Sequence, residues 1–210
     1  MSGEVRTFTA GRGASSLRPI FCALAMPHTC LGRGGAVHGT LSCMKITSHG
    51  LSQPVHIRVA KPAEVMAAIP LVNDAFAVED FFQGPRTDVA EMKKRLSTGT
   101  FLIAKHDAMD HPVALVYVET KAPRGYFGML SVDPSRQGTG LGRRMVEAAE
   151  EFCRRAGCTH LDIHVLNLRT ELQPFYRKLG YIETGTAELH PVSGLKPGLK
   201  CHIIVMSKAL

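Results

Sequence analysis

Between Val132 and Leu161 the chain runs from an extended apolar segment through three alternate glycines, Gly138, Gly140 and Gly142, into an amphipathic stretch and out into a second extended segment. From about Gly140 to Ala156, residues Leu141, Met145, Ala148, Ala149 and Phe152 recur at helical spacing, and Leu161 to Val165 alternates as a strand does. Two strands joined by one helix pair in parallel through a right-handed crossover. A parallel pair therefore belongs in the middle of the sheet.

The flanking segments surround that pair with antiparallel strands. Val55 to Val59 alternates as a first strand, and Lys61-Pro62-Ala63-Glu64 opens a helix with Val65, Ile69, Val72 and Phe76 on one side. A second helix spans about Asp88 to Leu96. Phe101 to Lys105, Val113 to Glu119 and Gly125 to Val132 then form a meander with turns at 107–110 and 121–124. After Val165, a helix from Glu171 to Leu179 ends at Gly180, a position suited to positive φ. Two strands, Tyr181 to Glu188 and His202 to Ser207, complete a mixed α/β sheet of about six to seven strands with helices on both faces.

The glycines carry the chemistry. Without side chains, backbone amides approach an anion closely, and the unpaired amides of a helix N-terminus add partial positive charge. Arg136, Arg143 and Arg144 flank this turn and suit phosphate oxygens. The spelling is neither a Walker loop, which needs Lys where Arg143 stands, nor a dinucleotide fingerprint, whose last glycine would fall on Arg143.

Charge and cysteine usage narrow the class further. Of the net charge of +7, residues before Gln53 hold +4, from Arg6, Arg12, Arg18, Arg33 and Lys45 against Glu4, and the remainder is close to balanced. Together with the absence of tryptophan, that balance argues against a nucleic-acid-binding module. No apolar run approaches the ~20 residues of a spanning helix, so neither a membrane nor a nucleic acid is expected as a partner. Cys22, Cys30, Cys43, Cys153, Cys158 and Cys201 follow no zinc or disulfide spacing and read as reduced thiols in an intracellular chain. Residues 1–53 read as a disordered leader or a transit peptide, with Met44 as an alternative start, and 54–210 as one domain of catalytic size. The expected location is cytoplasmic, or mitochondrial if the leader is a transit peptide.

The stretch from Met129 through Val132-Asp133-Pro134-Ser135-Arg136-Gln137-Gly138-Thr139-Gly140-Leu141-Gly142 closely resembles the acetyl-CoA signature of the GNAT superfamily, with Gln137, Gly140 and Gly142 at its core positions. Phe175-Tyr176-Arg177-Lys178-Leu179-Gly180-Tyr181 resembles the second signature of the same family. The resemblance spans about Val55 to Leu210. It implies the GNAT fold, with a splayed parallel pair, and an N-acyltransferase that moves acetyl from acetyl-CoA to an amine by direct attack in a ternary complex, as a monomer or homodimer and without a metal.

Carried onto this chain, the resemblance places the pantetheine arm against Leu130, Ser131 and Val132. It places the pyrophosphate on the amides of Gln137, Gly138, Thr139, Gly140, Leu141 and Gly142, beside Arg136 and Arg143. Tyr176 becomes the proton donor to the departing thiolate. Where most members carry an asparagine seven residues before the tyrosine, this chain has Arg169. Asn167 is then the candidate for the pantetheine contact, and Arg169 for a phosphate or an acidic substrate.

The fourth-strand carboxylate of the histone-acetylating branch is replaced by Tyr126, so Glu119 is the nearest candidate base and His164 another. His160, Asp162 and His164 share one strand face, which packing or hydrogen bonding explains better than a metal site. The segment from Glu79 to Arg86 would border the acceptor pocket, its acids facing a cationic amine. The rival reading is a non-catalytic acyl-CoA-binding or sensing domain.

Overall fold

The computed structural model describes residues 55–107, 109–188 and 194–210. The leader, with its transit-peptide and alternative-start readings, and three of the cysteines lie outside them. The described chain forms β1 (Val55–Val59), α1 (Pro62–Ala67), α2 (Ile69–Phe76), α3 (Val89–Leu96), β2 (Thr100–His106), β3 (Pro112–Lys121), β4 (Arg124–Val132), α4 (Leu141–Arg155), β5 (His160–Leu166), α5 (Leu172–Lys178), β6 (Ile182–Glu188) and β7 (His202–Ala209). A 3₁₀ turn, Pro134–Arg136, lies between β4 and α4.

The expected first helix is two helices. Pro70 sits in the first turn of α2 and has no N–H to continue the hydrogen-bond ladder of α1. Ala68 ends α1 and begins α2 at φ −84°, ψ −2°. Asp88 caps α3 as its residue type suggests, accepting from the Glu91 amide at 2.8 Å.

The seven strands lie in the order β1-β2-β3-β4-β5-β7-β6. Every neighbouring pair is antiparallel except β4 and β5. Alternation divides the core in two. Leu102, Val116, Val118, Phe127, Ile163 and Val165 face α4 and α5, whereas Phe101, Ile103, Leu115 and Tyr117 face α1, α2 and α3. Leu141, Met145, Val146, Ala149 and Cys153 form the buried stripe of α4. Burying each of its large apolar side chains contributes ~1.5–3 kcal/mol, so this helix fixes the position of the turn that precedes it.

The parallel ladder is short. It runs from Arg124 opposite His160 to Phe127 opposite Ile163 and stops there. β4 nevertheless continues on β3 to Val132, and β5 continues on β7 to Leu166. A bulge bends β4 at that point: Leu115 pairs with Ser131 and Tyr117 with Gly128, so Met129 and Leu130 together face Val116. Met129 takes φ +50°, a left-handed conformation that costs a non-glycine residue of order 1–3 kcal/mol. The two parallel strands part after Phe127 and Ile163, and the bulge follows directly on β4.

Candidate functional site

β4 delivers its C-terminal end to the 3₁₀ turn and then to the glycines. Asp133 accepts from the Ser135 amide at 2.9 Å and from its hydroxyl at 2.7 Å, which shapes the turn. Gln137 donates through its side-chain amide to the Val132 carbonyl at 3.2 Å, and Thr139 donates its hydroxyl to the Arg136 carbonyl at 2.7 Å. Both side chains thus hold the turn from within.

The three glycines do different things. Gly138 and Gly140 are exposed at φ +75° and +85°, and nothing lies within 4 Å of where a Cβ would stand on either. Gly142 is buried in the first turn of α4. The backbone ladder of α4 starts with the Arg144 amide donating to Gly140 at 3.2 Å, so the amides of Leu141, Gly142 and Arg143 precede it and lie at the positive end of a 15-residue helix. An open left-handed turn leading to helix-end amides fits a diphosphate.

The flanking arginines are unequal. Arg143 is exposed and pairs with Glu147 at 3.5 Å, Arg144 donates to the Val55 carbonyl at 3.0 Å, and Arg136 reaches the sulfur of Met109 at 3.6 Å. Leu130 and Val132 lie on β4 beyond the end of the parallel ladder. The buried Ser131 hydroxyl donates to the Met129 carbonyl at 3.1 Å and so braces the bulge.

Tyr176 is buried, with 0% exposure. Its ring packs on Phe127 at 6.0 Å, on Tyr181 at 5.8 Å and on Phe175 at 5.1 Å. Because Phe127 is the last residue of β4 on the parallel ladder, Tyr176 sits at the apex of the split, on the α4 and α5 face. Glu119 lies on the opposite face, in register with Tyr126, and accepts from the Tyr117 hydroxyl at 2.8 Å while Lys121 approaches to 3.4 Å.

Asn167 accepts the His202 amide at 2.8 Å through Oδ1, which joins the end of β5 to β7. Arg169 is held in a buried ion network. Its guanidinium is 3% exposed and donates to Glu79 at 2.6 Å and to Glu171 at 2.5 Å. That contact crosses 90 residues, and no local pattern reveals it.

The expected acceptor segment does form a cleft at the end of α2, lined by Asn73, Phe76, Glu79, Asp80, Phe82 and Arg86 among others. Arg86 lies over the rings of Phe76 and Phe82 at 5.1 and 5.3 Å. Glu79 is buried against Arg169, so Asp80 is the acid of this segment that faces solvent. Backbone hydrogen bonds from Gln83 to Gly194 and from Lys196 to Phe81 tie this segment to residues 194–196.

The sequence profile of the acetyltransferase (GNAT) family matches residues 69–181, more than half of the chain. The chain belongs to the GNAT acetyltransferase family. No curated protein sequence matches it. Among solved structures it is similar to smu.2055 of Streptococcus mutans, at 19% identity and a TM-score of 0.61 over 73% of this chain and 98% of that one. It is also similar to the ribosomal-protein-alanine N-acetyltransferase of Brucella melitensis, at 20% identity and a TM-score of 0.59 over 74% and 99%. A third similar structure is yncA of Salmonella typhimurium with its cofactor acetyl-CoA, at 19% identity and a TM-score of 0.57 over 74% and 94%. At these identities the likeness concerns the fold, and the GNAT architecture read from the two signatures is the one observed.

Proposed function

We propose that this GNAT protein is an N-acetyltransferase that carries acetyl from acetyl-CoA to an amine of a small molecule or protein by direct attack in a ternary complex. The observation that carries the reading is the exposed turn of Gly138 and Gly140 set before the first amides of α4, at the end of a strand that has just parted from its parallel neighbour. When bound, acetyl-CoA supplies an acetyl group activated as a thioester.

The chain's own groups would do the rest. The amides of Gly138 to Arg143 hold the diphosphate, with Arg143 beside them, and the freed edge of β4 at Leu130 and Val132 lies along the pantetheine arm. Tyr176, at the apex of the split, donates a proton to the departing sulfur, a general-acid role worth ~10²–10⁴-fold. Glu119 places negative charge on the acceptor side, where it attracts a cationic amine.

A second reading, an acyl-CoA-binding domain without turnover, draws support from Tyr126 standing where a carboxylate base stands in the histone-acetylating branch. Free thiol followed during incubation with acetyl-CoA and a panel of amines separates the two. Release of CoA that depends on one amine class, and that falls at least ~100-fold in Tyr176→Phe, supports the enzyme. Tight binding without amine-dependent release overturns it in favour of the second reading.

A further inference from the structure

We propose that His164, packed against Tyr126 where β4 and β5 part, takes the proton from the acceptor amine. The proposal rests on the acetyltransferase reading and adds a catalytic residue to it. Its ground is position. Ile163 is the last residue of β5 on the ladder with β4, so His164 is the first beyond it. Ile163 and Val165 point into the core under α4 and α5, so alternation turns His164 to the other face. Tyr126 packs with the core of that other face, and its ring lies 5.0 Å from the imidazole at 57°.

Tyr176 and His164 therefore flank the split from opposite faces. A thioester threaded between the strands would have its sulfur toward the first and its open carbonyl face toward the second, the arrangement that attack and departure require.

Three competing carboxylates are already engaged. Asp162 is bound by Arg124 and lies in a network with Ser207. Glu79 is bound by Arg169, and Glu119 accepts from Tyr117 one strand further from the split. Among the described residues, no side chain hydrogen-bonds the ring nitrogens of His164. Burial lowers the affinity of His164 for a proton, and Asp162 on the same strand opposes that only in part. From β4 it meets the Tyr126 phenol, which burial keeps protonated and on which Glu119, Arg86 and Arg95 also act; from β7 it meets the uncharged Val205. The imidazole is thus neutral near pH 7, the form that accepts a proton.

The proton balance is simple. The acceptor ammonium gives one proton to His164, and the free amine then forms the C–N bond as the C–S bond breaks. Tyr176 protonates sulfur and is reprotonated from water as CoA leaves, while His164 takes the second nitrogen proton as well and passes both in turn to water. One proton is released per acetyl transferred.

The test compares wild type, His164→Gln and Tyr126→Phe in the full chain, with rates against pH, calorimetry of acetyl-CoA binding, and proton NMR titration of the imidazole. The proposal expects kcat/KM of the wild type to fall on the acid side through the NMR midpoint of His164, below the ordinary histidine value. His164→Gln should lose ~10²–10⁴-fold and that acid limb, regain rate as pH nears the acceptor's own pKa, and keep its affinity for acetyl-CoA. Tyr126→Phe should shift the midpoint and the limb together. An active wild type whose His164→Gln variant keeps both rate and limb overturns the assignment of His164 alone. A wild type that binds acetyl-CoA but turns over no amine overturns the acetyltransferase reading, and this proposal with it.

Discussion

Arg169 donates to Glu79 at 2.6 Å across the end of α2 and the loop after β5, and both side chains are shut away from water. Burial pushes the Glu79 carboxyl up, against the pull of Arg86 and Arg169. A carboxyl whose folded pKa lies above its unfolded one favours the fold at low pH and loses that contribution as pH rises through the interval between them. Removing Arg169 widens the interval.

The expected outcome for Arg169→Met is a loss of about 3 kcal/mol near pH 7 that shrinks toward pH 4, measured by urea unfolding at both values. An equal loss at the two pH values would show that the ion pair is not its source.

A second buried charge joins α4 to the far half of the sheet. Glu150 receives Lys208 at 2.8 and 2.9 Å and the Tyr181 hydroxyl at 3.1 Å. Lys208→Met leaves that carboxylate to the Tyr181 hydroxyl and to Arg154 at 3.4 Å, with a predicted cost of about 1–2 kcal/mol in unfolding free energy. A change below about 0.5 kcal/mol would contradict the arrangement.

At Gly140 the expectation divides between fold and ligand. The site has open space but a left-handed backbone, so Gly140→Ala meets conformational strain of about 1–2 kcal/mol and no clash. Unfolding should register that cost, and the dissociation constant for CoA measured by calorimetry should rise about tenfold as the turn relaxes. Unchanged affinity would remove this turn from the binding site.

Several of these features are visible in the residues themselves. The stripe Leu141, Met145, Ala149 predicts α4 because it recurs at helical spacing, and Gly180 predicts the end of α5, where φ is +93°. The break at Ala68 is also readable from Pro70, a proline two residues into a new turn, although the unbroken spacing of Val65, Ile69 and Val72 conceals it. The bulge is not readable, because methionine carries no left-handed preference and Met129 adopts that conformation only under the packing on either side. The same holds for Arg169 with Glu79 and for Tyr126 with His164. Their partners lie far apart in the chain, and only the closed sheet brings them together.

The most direct measurement is the amide NMR spectrum of the isotopically labelled protein as CoA is added. The largest shifts should fall on Gly138, Gly140, Leu141, Gly142 and Arg143, and pantetheine, which lacks the diphosphate, should leave them nearly unmoved. CoA that binds without disturbing those amides, or that does not bind the folded protein at all, would contradict diphosphate binding at this turn.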